Sequence, residues 1–153
     1  MKIWLTLILV LALSLRLVNL SQSFWLDEAS QAMMSQRSVS DIWYLRSGDF
    51  HPPLFYVLAH YWMQINRSEA FLRLLPVSFG VISVGLIYFL NKKIGLMAAL
   101  FLAINPYHIY YSQEFRSYSL LMMLGLLSML LMQRKKYVWM AIVNSLLLYT
   151  HYS

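Results

Sequence analysis

Four short polar stretches interrupt an otherwise apolar chain, and each holds side chains able to move a proton or bind an anion. In "FWLDEA", Asp27 and Glu28 are adjacent carboxylates. A carboxylate capping a surface helix is kept ionised by the helix dipole, which suits a group that accepts a proton at neutral pH. Asp27 therefore reads as a general base, with simple N-capping as the competing assignment. In "DFHPPLFY" the paired prolines hold the preceding residue extended and begin a helix, presenting His51 at a helix N-terminus. There it could hydrogen-bond a phosphate or ligate a metal; an ordinary exposed loop histidine is the alternative. In "EAFLRLLP", Arg73 lies several residues into an apolar run, where a charge costs about 2.5–3.5 kcal/mol at mid-depth. A bound anionic headgroup, pairing with Glu69 four residues earlier, or snorkelling to the interface would each account for it. Pro76 is expected to bend that helix beside the arginine. In "NPYHIYYSQEFRSY", Pro106 weakens a helix ahead of a turn carrying Glu114, Arg116 and tyrosines that include Tyr111 and Tyr118. Arg116 can grip a phosphate bidentately and the rings can stack on a sugar. An interfacial aromatic belt is the default for Trp43, Tyr44, Tyr61, Trp62, Tyr107, Tyr110 and Tyr111.

The elements that position these residues are apolar helices. Of 153 residues 60% are hydrophobic and 12% charged, which marks an integral membrane protein with no room for a sizeable soluble domain. The absence of cysteine excludes disulfides, thiolate metal sites and thiol nucleophiles. The net charge of +6 reads as a topology signal and does not call for nucleic acid. Five stretches approach spanning length, near 3–20, 70–90, 94–111, 117–132 and 137–153. Leu54 to Ile65 is too short to cross and is expected to lie on the membrane surface. The outer loop 21–69 should carry two further surface helices, with Asp27 and Ser40 as N-caps and Gly48 as a stop. The fold class is thus all-α, a polytopic bundle of about five spans with amphipathic juxtamembrane helices.

Charge fixes the sidedness. With the N-terminus cytoplasmic, Lys2, Lys92, Lys93, Arg134, Lys135 and Lys136 fall inside, without one acid. Outside fall Asp27, Glu28, Asp41, Asp49, Glu69 and Glu114, balanced by Arg16, Arg37, Arg46, Arg67, Arg73 and Arg116. Residues distant in sequence are thereby expected at one membrane face, while the middles of the second, third and fourth stretches hold no ionisable group. That pattern disfavours a transporter or proton path. No small-x-small cleavage site follows the first stretch, which therefore reads as a retained span. The last stretch stops before any polar flank, so the chain is expected to be the N-terminal part of a longer protein.

Taken together, "RLVNL…FWLDEA…HPPLFYVLAHYW…SEAFLRLLPVSFGVISVGLIYFL…NPYHIYYSQEFRSYSL" resembles the N-terminal portion of polyprenyl-phosphate-dependent glycosyltransferases of the GT-C fold. The similarity is to lipopolysaccharide galacturonosyltransferase-like enzymes, then to protein O-mannosyltransferases and the aminoarabinose transferases of lipid A. The resemblance implies an inverting transfer of a sugar from a polyprenyl-phosphate-linked donor to a lipid, glycan or protein acceptor. The site would face the periplasm or exterior of a multi-pass plasma (inner) membrane protein. It implies that Asp27, with Glu28 beside it, activates the acceptor hydroxyl. His51, Arg73, Glu114, Arg116, Tyr111 and Tyr118 would then serve donor-phosphate or substrate binding. The cofactor is left open, a divalent metal on Asp27 and His51 being compatible with it. Some relatives carry an acid just before the histidine where this chain has Phe50, leaving Asp49 as the substitute. Relatives are also much longer, with further spans. A small non-catalytic membrane protein, or a subunit that binds a lipid phosphate, is the alternative reading.

Overall fold

The structure is a computed structural model that describes residues 2–44, 51–91 and 93–151. Asp49, Phe50, Arg46, Gly48 and Lys92 lie outside the described residues. The described residues are helical throughout, with no strand. In chain order the helices are α1 (Lys2–Leu17), α2 (Leu26–Ser35), α3 (Val39–Trp43), α4 (Leu54–Met63), α5 (Glu69–Leu90), α6 (Gly95–Ile104), α7 (Pro106–Gln113), α8 (Tyr118–Gln133) and α9 (Tyr137–Leu148).

The apolar stretches become α1, α5, α6 with α7, α8 and α9. The third stretch is cut at Asn105, whose extended backbone ends α6 and whose side chain accepts from the His108 amide to start α7 behind Pro106. Pro76, by contrast, is carried inside a continuous α5. Among the described helices α5 alone is long and apolar enough to cross a bilayer unaided, with 22 residues and a mean hydropathy of 2.0. The pair α7 and α8 passes the same test jointly but is bent by 117°. The apolar helices α1, α6 and α9 are shorter. Helix length alone thus accounts for one crossing, or two if the bent pair counts.

The surface helices form, with different caps. Trp25 precedes α2 without a side-chain cap, so Asp27 sits inside the first turn and does not cap it. Ser38, not Ser40, caps α3, its Oγ accepting from the Asp41 amide at 3.1 Å. In both cases the cap falls two residues ahead of the polar residue chosen from sequence. The short stretch after the prolines is α4, ten residues long, and its buried Phe55, Tyr56, Ala59 and Met63 pack against the rest of the protein.

α5 is the central element, touching α1, α4, α6, α7 and α8. One apolar cluster joins α2, α4, α5, α8 and α9 through Ala32, Phe55, Ala59, Leu72, Leu75, Phe115, Leu120, Leu124 and Val143. A second joins α1, α5 and α6 through Ile8, Ala12, Val84, Ala99 and Ala103, where alanines let the backbones approach closely. Gly80 on α5 serves the same end, since a Cβ there would stand 2.3 Å from Ser112 Oγ and 3.2 Å from Arg16 Nε.

These contacts bring the end of α1, the start of α5, the end of α7 and the start of α8 to one pole. Gln113 donates to the Val18 carbonyl at 2.6 Å, and Leu54 N donates to Tyr149 O at 2.9 Å, so the end of α9 arrives there too. Exposed Lys93, Lys135 and Lys136 lie beyond the far ends of α5 and α8, helices about 33 and 24 Å long at 1.5 Å per residue.

Candidate active site

The pole is organised by Arg73, one turn into α5 and almost fully buried. Its Nε donates to Glu28 Oε1 at 2.9 Å and its Nη2 to Glu28 Oε2 at 2.6 Å, a bidentate pair. Nη1 donates to the carbonyls of Leu20, at 2.7 Å, and of Gln22, and Nη2 to that of Ser23 at 3.4 Å. The guanidinium face lies 4.9 Å from the Phe24 ring, which stacks on Phe115. All five N–H groups are therefore spoken for. The partner is Glu28, 45 residues away, rather than nearby Glu69. Arg73 has no donor left for the phosphate contact expected of it; it fastens the α1–α2 loop and α2 onto α5.

Glu28, 1% exposed, is equally committed, since its Oε1 also accepts the Phe115 amide at 2.7 Å. A carboxylate holding three hydrogen bonds against a paired cation is a structural anchor. Asp27, its neighbour, points elsewhere. It is half-buried, and its carboxylate makes no hydrogen bond or ion pair among the described residues.

Beside it stands Arg116. Its Nη1 donates to the Asp27 carbonyl at 3.4 Å, its Nη2 faces His51 Nε2 at 3.4 Å, and its guanidinium lies 5.8 Å from the Tyr118 ring. A guanidinium only donates, so His51 Nε2 is the acceptor in that contact. No carboxylate lies within ion-pair distance of Arg116 among the described residues. Arg116 is thus half-exposed, weakly held and able to turn to an anion. Tyr111 meets Tyr118 edge to face at 5.1 Å, completing an aromatic wall.

The turn carrying Arg116 is tight, its amide donating to Glu114 O at 2.7 Å. Glu114 is 6% exposed and its Oε2 has no hydrogen-bond partner. Burial pushes its carboxyl above the usual carboxylate range. The Tyr110 hydroxyl opposes that, Glu28 adds to it, Arg116 opposes it and Asp27 adds to it. Glu114, Glu28, Arg73, Trp25, Tyr110 and Gln113 line a cleft of about 540 Å³.

The sequence-derived site residues Asp27, Glu28, His51, Arg73, Glu114, Arg116, Tyr111 and Tyr118 therefore gather at one pole in two linked groups. One is the buried Glu28–Arg73–Glu114 cleft, and the other the outward Asp27–Arg116–His51 cluster with its tyrosines. Among the described residues no three of His, Asp and Glu are placed to hold a metal ion. The Arg116 guanidinium lies between the Asp27 backbone carbonyl and His51 Nε2.

One residue escaped the sequence reading. Arg16 was assigned to the aqueous rim, yet it is 0% exposed. It donates to Ala12 O at 2.8 Å, Ala103 O at 3.1 Å and Leu102 O at 3.3 Å, and to His108 Nδ1 at 2.5 Å. It thereby satisfies the carbonyls that end α6 at the Pro106 break. An arginine followed by two further apolar residues was the available signal.

Comparison of the chain with protein-family models, with curated proteins and with solved structures finds no match.

Proposed function

We propose that the chain is the N-terminal part of a membrane glycosyltransferase that takes a sugar from a polyprenyl-phosphate donor, as its resemblance to the GT-C enzymes suggests. On this reading α1, α5, α6 with α7, α8 and α9 are five spans in the plasma (inner) membrane. The pole holding Asp27 and Arg116 then faces the periplasm or exterior. Large apolar side chains exposed on α1, α6 and α9, among them Trp4, Phe101, Val138 and Trp139, favour a lipid surround. Lysines beyond the far ends of α5 and α8 favour a cytoplasmic location for that side.

The observation that carries the reading is the Asp27 carboxylate, without a hydrogen bond or ion pair among the described residues, on a residue whose backbone carbonyl accepts from the weakly held Arg116 guanidinium, all on a scaffold fixed by Glu28 and Arg73. Asp27 takes the proton of the acceptor hydroxyl as its oxygen bonds to the anomeric carbon. The bond from that carbon to the phosphate oxygen breaks, its electron pair leaving with polyprenyl phosphate. Arg116, with His51 beside it, stabilises the charge that develops there. Attack opposite the leaving group inverts the anomeric centre. The acceptor is a lipid, glycan or protein hydroxyl.

The same weakly held Arg116 also favours a non-catalytic subunit that binds a lipid phosphate. Asp27→Asn separates the two, because the Asp27 carboxylate makes no hydrogen bond or ion pair among the described residues. Transfer from radiolabelled polyprenyl-phosphate sugars, measured in membranes holding the whole protein, should fall by about 10²-fold or more while polyprenyl-phosphate binding persists. Undiminished transfer would remove Asp27 as the base; binding without transfer in the unsubstituted protein would leave the subunit reading.

A further inference from the structure

The break between α6 and α7 opens a second cleft, of about 500 Å³, walled by Asn105, Tyr107, His108, Tyr111, Tyr118 and Ser119. It shares no lining residue with the Glu28–Arg73 cleft. Two polar atoms in its wall lack hydrogen-bond partners among the described residues, Ser119 Oγ and His108 Nε2, on residues 3% and 8% exposed. Buried polar groups are almost always satisfied, so two orphans on one cleft point to a ligand that meets them.

The state of His108 is set from behind. Arg16 can only donate, so His108 Nδ1 accepts from it and the ring proton sits on Nε2. Asn105 uses its Oδ1 on the His108 amide, which leaves its NH2 as a donor. The wall therefore offers N–H and O–H donors between tyrosine rings. Among the described residues it contains no lysine, arginine, aspartate or glutamate. Donors and flat apolar faces without charge suit an uncharged ring that carries oxygens at its edge and C–H groups on its faces, a pyranose or furanose. A carboxylated ring would give up its hydration against a lining that holds no lysine or arginine among the described residues.

We infer that this cleft is a binding site for a neutral sugar ring, with Ser119 and His108 donating to its oxygens. Assigning that ring to the donor rests on the glycosyltransferase reading above. The geometry that supports it is the Arg116 guanidinium 5.8 Å from the Tyr118 ring, so a phosphate held by Arg116 has its linked sugar beside the cleft wall. The substrate class is then a neutral hexose or pentose rather than a uronic acid.

Saturation-transfer NMR on the purified full chain, in a detergent free of sugar groups, tests this with methyl galactopyranoside and with galacturonate. The neutral glycoside should receive saturation, and galacturonate at equal concentration markedly less. Ser119→Ala should weaken the neutral ligand about fivefold or more, one lost hydrogen bond, without lowering the unfolding midpoint, because that hydroxyl has no partner in the fold. Ser119→Val, which also fills the space, should abolish binding. Equal saturation of galacturonate, unchanged binding in both variants, or no saturation by the neutral glycoside would overturn the proposal. Polyprenyl-phosphate binding, compared with Arg116→Gln, keeps the two claims apart. Phosphate binding that depends on Arg116 without sugar binding refutes the cleft alone, and sugar binding without phosphate binding refutes its assignment to the donor.

Discussion

Replacing Arg73 and Glu28 together with methionine should damage the protein less than the two single replacements added, and less than Arg73→Met alone. In Arg73→Met the Glu28 carboxylate stays 1% exposed with only the Phe115 amide to answer it. Breaking one side of such a buried pair costs about 3–5 kcal/mol, and the buried Leu20 carbonyl loses its donor for about 1 kcal/mol more. Glu28→Met strands the guanidinium and the Phe115 amide, for another loss of about 3–5 kcal/mol. Glu28→Met with Arg73→Met removes both charges and leaves unmet only the amide and the loop carbonyls, about 2–4 kcal/mol. The double-mutant cycle should therefore return a coupling of at least about 2 kcal/mol. Equilibrium unfolding in mixed micelles, followed by circular dichroism as dodecyl sulfate is raised, measures all four proteins. Additive losses, within about 0.5 kcal/mol, would refute the claim that the two side chains are each other's essential partner.

Gly80→Ala should destabilise by about 1–3 kcal/mol despite alanine's better helix propensity, because its Cβ would stand 2.3 Å from Ser112 Oγ and 2.7 Å from Ser112 Cβ. Thermal unfolding should show rescue by Ser112→Gly but not by Ser112→Ala, which keeps the offending carbon. Glu114 supplies a pH signature. Its folded-state pKa is raised above the ordinary value of 4.5, so the folded protein holds the proton longer and stability falls as pH climbs from about 4.5 through the raised value. Glu114→Gln should flatten that part of the stability profile measured between pH 4 and about 8; an unchanged slope would assign it to other groups.

What was legible in the sequence is what local chemistry dictates. Pro106 behind the capping Asn105 marks a helix start, whereas Pro76, with no capping residue ahead of it, is carried inside α5; and the ten-residue α4 is too short to cross. Charge asymmetry placed Asp27 and Arg116 on one side of the bundle, where they do meet, although through the Asp27 backbone carbonyl. Pairings over long distance were not legible. Arg73 offered a local partner in Glu69 four residues away, and nothing in one sequence reveals that Glu28 outcompetes it across 45 residues. Asp27 and Ser40 are good capping residues in isolation, but Ser38, with Asp41 three residues on, caps α3 first, and α2 starts after Trp25 with no side-chain cap at all. Arg16 looked like a rim charge because its acceptors, the α6 carbonyls, exist only once Pro106 has ended that helix.

That last dependence bears on how the protein is made. Arg16 leaves the ribosome with α1, whereas Ala103 and His108 follow 87 and 92 residues later. Throughout that interval the guanidinium can keep only its bond to Ala12 and must otherwise stay hydrated. α1, made before every other helix described, is therefore among the last of them to settle, and a lesion at the α6–α7 junction would surface as faulty biogenesis of a segment translated long before it.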